Sequence, residues 1–77
     1  MPNKSSNRVR FEKVAGKRVQ FILDKLDLLG NCSNRNNYEY SDEDVKKMFN
    51  AIKEKLKQVE VRFQEGLSKK DRSKFKF

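Results

Sequence analysis

Between residues 45 and 63, apolar side chains fall at Val45, Phe49, Ile52, Leu56, Val59 and Phe63, in steps of four, three, four, three and four. A repeat averaging about 3.5 residues keeps one stripe of an α-helix apolar, as in a coiled-coil seam. Met48 broadens the stripe, and the positions between are mostly Lys, Glu, Gln and Asn. Ser41 stands where an N-cap belongs, and Asp44 completes a weaker form of the capping box. Asp42, Glu43 and Asp44 place negative charge in the first turn, where the helix dipole favours it. Gly66 reads as a stop. The spacing predicts a helix over about 42–65.

An earlier stripe runs Ala15, Val19, Ile22, Leu26, Leu29, again in fours and threes, with Phe11 on its edge. Phe21, Leu23 and Leu28 lie outside this seam, so the helix is apolar over a wider arc than one partner helix covers. That width points to more than one neighbour, as in a dimeric four-helix arrangement. Asn7 or Ser6 can begin the helix and Gly30 can cap it, giving a span of about 8–29. Gly16 inside it costs about 1 kcal/mol relative to Ala.

The connection is Asn31-Cys32-Ser33-Asn34-Arg35-Asn36-Asn37-Tyr38-Glu39-Tyr40, whose Asn and Ser content reads as a long loop. Tyr38 and Tyr40 alternate with Glu39. Their rings either close over the apolar end near Leu28, Leu29 and Val45, or one of them serves recognition.

The fold expected is all-α, an antiparallel two-helix hairpin with a long Asn-rich loop. Residues 1–7 are expected to be a disordered N-terminus, residues 8–65 the hairpin domain, and residues 66–77 a flexible basic tail. A second architecture follows from Arg8-Val9-Arg10-Phe11, which alternates polar and apolar as a strand does. A strand there, followed by two helices, resembles the ribbon-helix-helix DNA-binding fold. In that fold, paired strands of a dimer enter the major groove, and Arg8 and Arg10 would face bases. The loop after Gly30 is longer than that fold usually carries.

Composition narrows the chemistry. A chain of 77 residues, 35% hydrophobic and 39% charged, forms one small domain whose core supplies only a few kcal/mol, so self-association is an expected source of buried surface. Cys32 is the only cysteine and there is no histidine, which removes a disulfide, a cysteine–histidine nucleophile and the usual general base. Its three glycines stand apart at 16, 30 and 66, so there is no glycine-rich phosphate loop. Asp24 and Asp27 flank Lys25 and read as solvated surface. The chain is expected to be no enzyme and to need no cofactor or metal.

Charge is the feature that suggests a function. The net charge is +8, and it lies at the two ends. Residues 1–18 carry six basic side chains against Glu12, and residues 66–77 carry five against Asp71, whereas residues 19–65 hold eight basic and nine acidic ones. In an antiparallel hairpin both basic ends meet at one pole, where a polyanion would bind. The candidate nucleic-acid contacts are Arg8, Arg10, Lys13, Lys17, Arg18, Lys69, Lys70, Arg72, Lys74, Phe75 and Lys76. Helical spacing places Arg10, Lys13 and Lys17 within a turn of one another, on a face adjoining the seam. In the tail, lysines and arginine suit phosphates, and aromatic rings suit unpaired bases. Asp24, Asp27, Glu39, Asp42, Glu43 and Asp44 gather towards the loop end, which would polarise the molecule and orient docking on a charged partner.

Phe75 and Phe77 with the tail lysines are marginal as a membrane anchor. No apolar run approaches the roughly 18–20 residues of a membrane-spanning helix. Residues 1–10 lack the apolar stretch of a secretory signal. A cytoplasmic location with no membrane partner is expected. The segment from Phe11 to Phe63, through Gly30-Asn31-Cys32-Ser33-Asn34 and Asn37-Tyr38-Glu39-Tyr40, resembles small helical proteins encoded on bacterial plasmids and phages. That resemblance implies a mobile-element setting and no particular activity.

The function expected is that of a small basic nucleic-acid-binding or accessory protein, contacting DNA or RNA with little or no sequence specificity and forming a homodimer. The alternative is a protein-binding module or inhibitor that docks on a larger nucleic-acid-handling protein. Its interface would comprise Phe21, Leu23, Leu28, Tyr38 and Tyr40.

Overall fold

A computed structural model describes residues 5–72, with side chains for residues 5–69. The described residues are all-α: α1 spans Ser6–Asn31, α2 spans Asp42–Arg72, and no strand occurs among them. The chain divides into two units, Met1–Glu39 and Tyr40–Phe77, each built on one helix.

In the first unit the N-cap is Ser5, one residue earlier than the sequence suggested. Its backbone is extended and its hydroxyl accepts the Arg8 N–H at 3.1 Å, satisfying one of the donors a helix start leaves over. Residues 8–11 are therefore helical, which overturns the strand at Arg8-Val9-Arg10-Phe11 and with it the ribbon-helix-helix alternative. The alternation there covers only four residues, while the 3.5-residue repeat beginning at Ala15 extends the helix back through them. No acidic residue stands in the first turn. Arg8 instead pairs with Glu12 one turn on, at 3.1 Å, an exposed contact that contributes a few tenths of a kcal/mol.

Gly30 is not the terminal cap. α1 runs one residue past it, and Cys32, in right-handed backbone, ends the helix. The Cys32 and Ser33 N–H groups close the last turn on the Leu29 and Gly30 carbonyls, at 2.9 and 3.1 Å. These short closing bonds satisfy terminal carbonyls without a left-handed glycine. The asparagines then have structural work. The Asn34 side chain accepts the Asn36 N–H at 2.9 Å, and its carbonyl accepts the Asn37 and Tyr38 N–H groups. One asparagine thus organises a tight turn in the middle of the connection.

In the second unit the capping box is formed in both directions. The Ser41 hydroxyl accepts the Asp44 N–H at 3.2 Å, and the Asp44 carboxylate accepts the Ser41 N–H at 2.9 Å. α2 continues beyond the expected 65 to Arg72, so Gly66 does not stop it. No described glycine has a positive φ. A glycine ends a helix only when the chain takes that left-handed turn; here Leu67 and Ser68 follow without a breaker. Lys69 then brings positive charge towards the end of the helix, which the dipole favours. The first part of the expected flexible tail is thus helical backbone. Ser73, Lys74, Phe75, Lys76 and Phe77 lie outside the described residues.

No described residue is buried. In α2 the half-buried positions are Val45, Ile52 and Val59, one heptad apart, while the alternate seam positions Phe49, Leu56 and Phe63 are exposed. β-branched side chains lie close to their own helix, and the longer ones project from it. In α1 the half-buried residues are Ala15 and Leu29, both on the seam.

Candidate nucleic-acid interface

The first five basic residues of α1 are Arg8, Arg10, Lys13, Lys17 and Arg18, and all are exposed. At about 3.6 residues per turn they do not share one face. Arg8 falls on the line of the seam itself. Its guanidinium bonds Glu12 and stands 5.7 Å from the centre of the Phe11 ring. Arg18 lies beside the seam. Arg10, Lys13 and Lys17 lie about half a turn away from it, so they line the polar face opposite the seam and do not adjoin it. From Arg10 to Lys17 the axial distance is about 10.5 Å.

Electrostatics single these residues out. A helix lets a side chain meet those three and four positions away. None of those neighbours of Arg10, Lys13, Lys17 or Arg18 is acidic. Glu12, the only carboxylate of this stretch, is engaged by Arg8. Four cations on about two turns therefore present their charge without a counter-ion from their own helix. Further along, Asp24 is bonded by Gln20 at 2.9 Å.

The second set of expected contacts is described only in part. Lys69 is exposed on α2. Lys70 and Arg72 belong to α2 by their backbone, but their side chains, like Lys74, Phe75 and Lys76, lie outside the described residues. The α1 cluster and Lys69 belong to different units.

Of the expected protein-contact residues, Phe21, Leu23 and Leu28 are exposed on α1, Phe21 to 61%. Tyr38 is exposed and Tyr40 half-buried, so the two rings differ in environment. The geometry also brings out residues the seam pattern hides. Phe11, Val14, Arg18, Phe21, Lys25 and Leu28 follow one another in steps of three, four, three, four and three. They form a second stripe about a quarter turn from the first. Within it the Lys25 ammonium lies 5.0 Å from the centre of the Phe21 ring, in cation–π range. The signal was present in the spacing, but the two charged residues break its apolar character.

Among the described residues, no group of three His, Cys, Asp or Glu side chains is placed to hold a metal ion. No described helix is long and apolar enough to cross a membrane. Comparison of the chain with protein-family models, curated proteins and solved structures finds no match.

Proposed function

We propose that this protein binds nucleic acid through phosphate contacts, with Arg10, Lys13, Lys17 and Arg18 as the principal cations. The observation that supports this reading most is local. Four exposed cations crowd two turns of α1, and the single carboxylate nearby is committed to Arg8. A surface protein helix ordinarily interleaves such charges with acidic neighbours three or four residues away. Leaving them out destabilises the helix slightly and concentrates positive potential. A polyanion gains from that potential because each phosphate neutralised releases counter-ions. Lys and Arg at these positions contact backbone and not base edges, so the binding carries little sequence preference.

The finer architecture belongs to the same proposal. The apolar seam of each helix is covered in solution by another helix, and the tail cations add to the phosphate contacts. The test is fluorescence anisotropy with labelled duplex DNA, single-stranded DNA and RNA, at low and near-physiological salt. Micromolar or tighter binding that persists at near-physiological salt is expected, and the preferred form identifies the substrate class. Absence of binding, or equal weak binding that vanishes with salt, would make the charge incidental.

A further inference from the structure

We infer that the second stripe of α1 is a docking surface for an acidic amphipathic helix of another protein, a function separate from phosphate contact. The stripe is Phe11, Val14, Arg18, Phe21, Lys25 and Leu28, and every member is exposed. Its 3-4 spacing is that of a helix-packing seam, so the shape it matches is another helix lying along α1. The polar face carrying Arg10, Lys13 and Lys17 adjoins this stripe, and Arg18 is the side chain common to both surfaces.

The cations within the stripe define the occupant. Arg18 and Lys25 are one heptad apart, about 10.5 Å along the axis. They stand inside the apolar arc, with Phe21 and Leu28 on one side and the first seam on the other. A helix lying on a lipid surface keeps its cations on the polar face or at the flanks, away from the middle of the apolar arc. Lys25 here folds over Phe21 instead of reaching away from it. A helix that offers apolar residues to Phe21 and Leu28, with two carboxylates one heptad apart, satisfies both the rings and the charges.

A second copy of this chain fits less well. On α1 the carboxylates of Asp24 and Asp27 lie on the polar side, and Glu12 is bound to Arg8. The nearest to an acidic apolar stripe on α2 is Ala51, Glu54, Gln58, Val61 and Glu65. Its carboxylates are eleven residues apart, about 16.5 Å, against seven for Arg18 and Lys25. Lys55, Lys57 and Arg62 flank it and would oppose the same two cations.

The experiment uses two synthetic four-heptad peptides with leucine at the seam positions, one carrying Glu and the other Lys at the flanking positions. Each is titrated into the full chain by calorimetry. The Glu peptide is expected to bind at least tenfold more tightly. The double variant Arg18→Glu/Lys25→Glu is expected to invert that preference, and Phe21→Ser to weaken the Glu peptide about tenfold. Circular dichroism checks that each variant keeps its helix content, and the charge variant, being at exposed sites, keeps the test alive should Phe21→Ser unfold. An unchanged preference in the charge variant would overturn the proposal, because general attraction to the polar face would then explain it. So would failure of both peptides to bind, self-association lost in Phe21→Ser, or binding to phosphatidylglycerol vesicles that the charge variant abolishes while the peptides remain unbound. Phe21→Ser is expected to retain nucleic-acid affinity, so failure here and failure of the phosphate-contact proposal are told apart.

Discussion

Both helices repeat apolar residues every 3.5 positions, but they differ in what lies beyond that line. On α2 the flanks of the seam are mostly charged, with Lys46, Lys53, Lys55 and Arg62 beside it. On α1 the apolar arc widens to Phe21, Leu23 and Leu28, and its opposite face is basic through Arg10, Lys13 and Lys17. Their starts differ as well. α2 opens with a reciprocal capping box and three acids, whereas α1 has Ser5 alone and no acid in its first turn. A helix built only to pair would look like α2. α1 carries features that weaken a helix and that α2 does not share, namely a first turn without acids and a run of cations with no carboxylate three or four residues away. Such departures from local stability are where binding function is expected.

The largest effect should separate two adjacent leucines. Leu29 is half-buried on the seam of α1, and Leu28 is exposed beside it. If the seam is covered as proposed, Leu29→Ala costs about 2 kcal/mol or more, while Leu28→Ala stays within about 0.5 kcal/mol. Thermal unfolding followed by circular dichroism reads both, and equal effects would show that the seam has no special standing. Next comes capping. Ser41→Ala removes one arm of the α2 box and should lower stability by about 1 kcal/mol, measured by urea titration. The corresponding Ser5→Ala on α1 should cost less, because Ser5 forms one arm only and the first turn lacks acids. A smaller change of opposite sign is expected at Gly66. It sits in helical backbone with nothing within 4 Å of an added β-carbon, so Gly66→Ala should raise helix content and stability by up to about 1 kcal/mol. A loss of helix there would mean that Gly66 marks an end after all.

These contrasts show what could be read from residues alone. The two helices and the Ser41 cap were legible because periodicity and local capping chemistry act within one turn or two. The ends at Gly30 and Gly66 were not, since glycine permits a left-handed cap without requiring one. What decided the matter was whether the following residues continued the helix, as Leu67–Arg72 do, or closed it by short turns, as Cys32 and Ser33 do. The short alternation at Arg8–Phe11 suggested a strand, because four residues cannot distinguish a period of two from the edge of a longer helical repeat. The basic residues of α1 were identifiable individually, but their division among three faces needed the helix start at Ser6 and the Arg8–Glu12 pair. That pair takes Arg8 out of the cluster, and the helical register moves Arg18 into the second stripe.

The central claim is that the polar face of α1 contacts phosphates, and its most direct test is the salt dependence of duplex DNA binding. Anisotropy titrations over a range of salt concentrations would compare the full chain with the triple variant Arg10→Ala/Lys13→Ala/Lys17→Ala. If each residue neutralises one phosphate, the slope of log affinity against log salt becomes shallower by about 2.7 in the variant. Coincident slopes would contradict the claim and place the phosphate contacts, if any, elsewhere in the chain.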